Sequence, residues 1–212
     1  MMRHVSSFAV VVMLASTGLA WAQEKRPASP QGTAAAVVGG KWSEPDKSGE
    51  RSYSGGKWIE VTYGRPILRG RANIFGSGAD YGKTVLAGAK VWRAGANATT
   101  RLTTEAPLMI GGKRVEPGTY SVFVELKEGA WTLIVSTQPA AERYDPNDKT
   151  KIWGSYGYDP KFDVVRVPMQ METLPHAVEQ FTISFVDMTE GGGKLMLAWE
   201  KTGATVPFTL AK

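Results

Sequence analysis

The stretch Thr119–Ser136, "TYSVFVELKEGAWTLIVS", decides the fold. Tyr120, Val122, Val124 and Leu126 alternate with their neighbours at a period of two, which is the repeat of a strand with one buried face. The Gly-containing connection "KEGA" follows, and "WTLIVS" runs back as a second β-rich segment. A strand, a short turn and a strand make an antiparallel hairpin.

The same device recurs on both sides. "KWIEVTY" (57–63) sets Ile59, Val61 and Tyr63 on one face and Trp58, Glu60 and Thr62 on the other, and Gly64-Arg65-Pro66 ends it. "MIGGKRV" (109–115) reads as a tight hairpin. "FTISFVDM" (181–188) and "KLMLAWE" (194–200) flank "TEGGG" as a third, with Phe181, Ile183 and Phe185 answered by Leu195, Leu197 and Trp199. "GTAAAVVGGKW" (32–42) reads as a first edge strand carried by Val37 and Val38, and "TTRLTT" (99–104) as another strand. No apolar period of 3.6 persists for a full helix beyond the first 22 residues. These patterns predict one all-β domain over residues 29–212, an antiparallel β-sandwich or barrel of about nine to ten strands. Loose insertions are expected at about 43–56, 84–90 and 140–151.

The first 22 residues belong to a different class. Arg3 and His4 precede the apolar run "SFAVVVMLASTGLA", and "AWA" (20–22) supplies a small-x-small cleavage pattern, so residues 1–22 read as a secretory signal peptide and 23–28 as a flexible leader. The expected location is periplasmic or secreted, with no transmembrane segment after cleavage. The chain has no cysteine, so an exported domain of about 190 residues must be held by its core without disulfides. Cleavage would remove Arg3 and no acid, lowering the formal net charge of +5 by one. The remaining excess is scattered and has no long run of like charge, which argues against nucleic acid as a partner.

Chemistry is narrowed mainly by what is missing. Beyond the leader there is one histidine, His176, in the polar stretch "ETLPHAVEQ", which reads as an exposed loop between strands. A cysteine-based or histidine-rich metal centre, a thiol nucleophile and a Ser-His-acid triad are thereby disfavoured, and no cofactor is expected. Glu60, Glu125, Asp187 and Glu200 fall on or at the ends of predicted strands. Two of them would make a glycosidase if they faced each other about 5 to 10 Å apart, a separation that sequence cannot supply.

Arginine beside aromatic rings and glycine stands out instead. Arg65, Arg69, Arg71, Arg93 and Arg101 lie near Tyr63, Phe75, Tyr81 and Trp92, and "WGSYGYD" adds Trp153, Tyr156 and Tyr158. Guanidinium forks recognise carboxylate, phosphate or sulfate, and flat rings stack on sugars. Within "VWRAGANATT" (91–100), Trp92 and Arg93 point to opposite sides, Gly95 permits a positive φ, and Asn97 is placed to bond its own backbone. The candidate ligand contacts are Tyr63, Arg65, Arg93, Asn97, Trp153, Tyr156 and Tyr158.

The ordered motifs "TYGRP", "RGRANIFG", "YGK", "VWRAGANATT", "PGTYSVF", "WGSYGYDPKFDVVRV", "EQFTISF" and "LAWEKT" closely resemble the bacterial exported family known as domain-of-unknown-function family 2911 (DUF2911), from about Ser29 to Phe208. The resemblance implies an exported all-β domain and carries over no activity or cofactor. Two segments, Thr84–Lys90 and Ala140–Lys151, read as additions beside the motif loops. Three functions stay open: a noncatalytic module for an anionic or carbohydrate ligand, a carboxylate-dependent hydrolase, and a structural partner of an envelope protein.

Overall fold

The computed structural model describes residues 27–211, so the signal peptide and residues 23–26 of the leader lie outside the described residues. Two antiparallel sheets pack face to face. The larger has the order β1 (Gln31–Val38), β4 (Lys57–Gly64), β5 (Thr100–Thr104), β8 (Gly118–Glu125), β9 (Thr132–Ser136), β10 (Asp163–Pro168). The smaller runs β11 (Gln170–Thr189), β12 (Gly192–Leu210), β6 (Leu108–Ile110), β7 (Lys113–Val115). A separate two-stranded ribbon, β2 (Lys41–Trp42) with β3 (Tyr53–Ser54), brackets the loose segment after β1. The described residues thus form twelve strands. The all-β reading holds, β1 is an edge strand as expected, and the ribbon adds two strands too short for a periodic signal.

Alternation explains the core. Ile59, Val61 and Tyr63 of β4, Leu102 of β5 and Val122 and Val124 of β8 meet Phe181, Ile183, Leu197, Val206 and Phe208 of the smaller sheet. Strands β8 and β9 depart from simple alternation because their outer face is covered as well. Phe123 and Ile134 pack beneath Val91, Ile152 and Tyr158 in a second small cluster. Residues 137–162, which include the predicted 140–151 addition, therefore fold back over the sheet, and the unbroken apolar run "LIV" suits a strand buried on both sides.

The stretch containing His176 is corrected by the structure. It is part of the 20-residue strand β11, not a loop. Gln170–Thr173 pair with Thr202–Thr205, and the register then shifts between Thr173 and Val178 and again before Thr182. Pro175 cannot donate to a ladder, so it sits within the first irregular segment while pairing continues on either side. His176 itself is exposed, as expected. The predicted 84–90 addition begins within a single helical turn, α1 (Lys83–Leu86). No described helix is long and apolar enough to cross a membrane.

Candidate ligand-binding clefts

One end of the sandwich is closed by aromatic rings. Trp92 is 1% exposed, and Phe181 (5.0 Å between centroids), Phe75 (5.7 Å), Trp131 (5.8 Å) and Trp199 (6.4 Å, nearly parallel) surround it. Its backbone N–H and C=O exchange hydrogen bonds of 2.8 Å with Val124, which fixes the 91–100 loop to β8. Its indole N–H donates to Gly95 O at 3.1 Å, and Thr100 Oγ1 donates to Ala94 O at 2.9 Å. The loop also presses on the end of β4. Ala96 N–H donates to Gly64 O, and any side chain at Gly64 would overlap Ala96 O. The Gly-Arg-Pro that ends β4 therefore owes its glycine to this approach.

Arg93 leaves the loop in the opposite direction to Trp92. Its Nη1 donates to Asn97 O at 3.0 Å, and its guanidinium carbon lies 5.3 Å from the centroid of the Tyr156 ring. Gly154 supports the other side, since a Cβ there would stand 2.6 Å from Arg93 Nη1. Thr99 Oγ1 ties the two segments together, lying within hydrogen-bond distance of both Ile152 O and Gly154 O. The Tyr156 hydroxyl donates to Ala87 O at 3.0 Å, so the turn after α1 joins the same cluster. The predicted 84–90 addition therefore becomes part of the surroundings of Arg93, through Ala87 and through Thr84 and Val85 in the same cleft, whereas the 140–151 addition contributes Glu142 to the neighbouring cleft.

Asn97 has positive φ (63°) and does not bond its own backbone as expected. Its Nδ2 donates to Ser29 O at 3.2 Å, and the chain ahead of β1 is held against the loop. The positive φ satisfies the turn directly, which frees the amide for the longer contact.

The sequence-selected residues divide into two groups. Arg93, Asn97, Trp153 and Tyr156 come together on this end, with Trp153 partly buried and edge-on to Tyr144 at 6.3 Å. Tyr63, Arg65 and Tyr158 are engaged internally, although Tyr63 also borders the second of the two clefts at this end. The Tyr63 ring is buried against Phe181, and its hydroxyl accepts from Ile183 N–H at 2.9 Å. The partly buried Arg65 reaches Phe181 O and Thr182 Oγ1, each at 3.4 Å, and crosses Gly32. The Tyr158 hydroxyl donates to Asp163 Oδ2 at 2.5 Å and accepts from Arg166 Nη1 at 2.9 Å.

Two adjoining concavities result, sharing Ser29, Ala96 and Asn97. The first, about 290 Å³, is lined by Arg71 and Arg93 on its walls and by Trp92 and Trp199. Arg71 lies over the Trp199 ring at 6.0 Å and is held by bonds to Ile67 O and Leu68 O. No acidic residue lines this cleft. The second, about 240 Å³, is lined by Arg101, Glu142, Trp153, Thr62 and Gln31 among others. Sequence reasoning passed over Arg71, Arg101 and Trp199 as site residues. Arg71 and Arg101 carried a signal in the arginine cluster, whereas Trp199 is indistinguishable from core by periodicity.

The strand acids are occupied elsewhere. Glu200 accepts from the N–H groups of Asn73 (2.6 Å) and Ile74 (3.0 Å). Glu125 pairs with Arg166, and Asp187 with Lys194 at 2.7 Å. Neither these nor Glu60 lines either cleft, where Glu142 is the one acid.

No curated protein and no solved structure matches the chain. The model of the family described as "Protein of unknown function (DUF2911)" matches residues 44–208, most of the chain, from just after β2 to near the end of β12, and the protein belongs to that family.

Proposed function

We propose that this protein is an exported, noncatalytic binding module of the cell envelope that takes a carboxylate- or sulfate-bearing ligand in the first cleft. The observation that carries the reading is a concavity of about 290 Å³ with two guanidinium groups and no acid in its lining. Cations in a cleft without compensating acids favour an anionic guest, and the fork of Arg93 is preorganised by Tyr156, Gly154 and Asn97 O. A carboxylate-dependent hydrolase needs an acid pair across a cleft, and no strand acid lines either concavity, with Glu200 bound to the Asn73 and Ile74 amides and Glu125 and Asp187 paired with Arg166 and Lys194. Export is supported by the pattern of residues 1–22.

The test is a thermal-shift series on the protein lacking residues 1–22, with acetate, sulfate, glucuronate and peptidoglycan fragments. A ligand of the folded state alone stabilises by about 2.7 kcal/mol at a hundredfold excess over Kd. Anion-dependent protection that Arg93→Lys abolishes is the expected result. Protection unchanged in Arg93→Lys, or absent with every anion, overturns the reading.

A further inference from the structure

Among the arginines at this end, Arg101 differs from its neighbours. Arg65, Arg71 and Arg93 each bond to main-chain carbonyls. Arg101 is partly buried on β5, opposite Thr62 and Ser121 in the ladder, and its guanidinium has no hydrogen bond or ion pair among the described residues. A guanidinium carries five donors, and partly desolvating them without an acceptor costs free energy that a bound anion would recover. The second cleft supplies the space for one.

We propose that Arg101 anchors a second anion subsite, and that the ligand is an acidic oligosaccharide whose successive units lie in the two clefts across the ridge of Ala96 and Asn97. This rests on the reading of the first cleft as an anion site. The lining of the second cleft distinguishes sugar from other anions. Trp153, braced by Tyr144, offers an apolar ring face, while Gln31, Thr62 and Asn97 in the same lining carry hydrogen-bonding side chains. Glu142 accepts from hydroxyl groups but repels a densely charged chain, so one carboxylate per sugar fits where a phosphate polymer does not. Each of the two adjoining clefts has arginine in its lining, and they share Ser29, Ala96 and Asn97, so one chain carrying an acid group on successive units reaches both.

The experiment uses the protein lacking residues 1–22 and galacturonic acid oligomers from one to six units, read by calorimetry and by the Nε–H signals of Arg93 and Arg101 in ¹⁵N NMR. The expected result is a Kd at least about tenfold lower for the tetramer than for the monomer, because the second subsite is engaged intramolecularly. Both arginine signals move with the tetramer. Arg101→Gln returns the tetramer to monomer affinity and leaves the melting temperature unchanged. A tetramer no tighter than the monomer, or a gain that survives Arg101→Gln, overturns the second subsite; if Arg93 still responds, the first-cleft reading stands alone. If no uronide binds while acetate or sulfate moves Arg93, the sugar assignment falls and the first cleft again survives. If neither arginine responds to any of these probes, both readings fall.

Discussion

The guanidinium carbon of Arg93 stands 5.3 Å from the centroid of the Tyr156 ring, and the same tyrosine donates its hydroxyl to Ala87 O at 3.0 Å. One stacked pair thus joins the 91–100 loop, the 153–158 turn and the turn after α1. No carboxylate takes part, since Arg93 has no ion pair among the described residues. Arg93→Ala is expected to cost about 1 to 2 kcal/mol, one hydrogen bond and one cation–π contact. Arg93→Lys keeps the charge and is expected to cost less than about 1 kcal/mol. Both values lie below the roughly 3 to 5 kcal/mol of a broken buried ion pair. At about 2 to 4 °C per kcal/mol for a domain of this size, calorimetric melts of the two variants separate the cases. If both unfold early, Arg93 is a structural staple and the binding reading of its cleft is lost.

Trp92 predicts a different kind of effect. It is almost wholly buried among Phe75, Trp131, Phe181 and Trp199, so truncation leaves a large void that rigid rings fill poorly. Trp92→Ala is expected to cost about 3 to 5 kcal/mol. The urea midpoint should fall at constant slope, and Trp92→Phe should fall less. A cost under about 1 kcal/mol would mean that the end of the sandwich repacks freely.

Gly154 ties stability to binding. Its φ of +67° lies in the left-handed region, and an added Cβ would come within 2.6 Å of Arg93 Nη1. Gly154→Ala is expected to cost about 1 to 2 kcal/mol from the backbone alone. The methyl also pushes the guanidinium away from its place over Tyr156. Anion protection in the thermal-shift assay should therefore weaken beyond the drop in the unliganded melt. Full protection in Gly154→Ala would show that the position of Arg93 does not govern the site.

How far the sequence carried these conclusions depended on periodicity. Ile59, Val61 and Tyr63, or Phe181 and Ile183, announce their buried face by spacing, and the structure places them there. The stretch around Pro175 was misread because a bulged strand suppresses the alternation that identifies strands, and its partner lies more than 25 residues away at Thr202–Thr205. The site was less legible for the same reason. The sequence marked Arg93, Asn97, Trp153 and Tyr156 by residue type, but Gly154 and Tyr156 stand more than 60 residues beyond Ala87 and Arg93, and only folding reveals which arginines meet acceptors. Nothing in "TTRLTT" sets Arg101 apart from Arg65.

Tyr158 supplies the last prediction. Burial pushes its phenol well above the usual tyrosine range. The hydrogen bond to Asp163 and the charge of that carboxylate push the same way, with Arg166 opposing. The folded state therefore keeps the phenol neutral at a pH where the unfolded chain, with an ordinary value of about 10, already ionises. Because the folded value is the raised one, this stability is complete below about pH 10 and is lost as pH climbs from there toward the folded value. Tyr81 and Tyr120 are also raised, chiefly by burial, and contribute a slope of the same sign. Urea midpoints measured from about pH 8 to about pH 11 should fall steeply in the parent protein and less steeply in Tyr158→Phe. At neutral pH the substitution is expected to cost about 1 to 2 kcal/mol, because Asp163 loses a donor to Oδ2 while its Oδ1 is already buried without a partner. An unchanged alkaline slope in Tyr158→Phe would show that this phenol ionises alike in both states, and a neutral-pH cost near zero would show that the Tyr158–Asp163–Arg166 contact does not hold the 137–162 segment to the sheet.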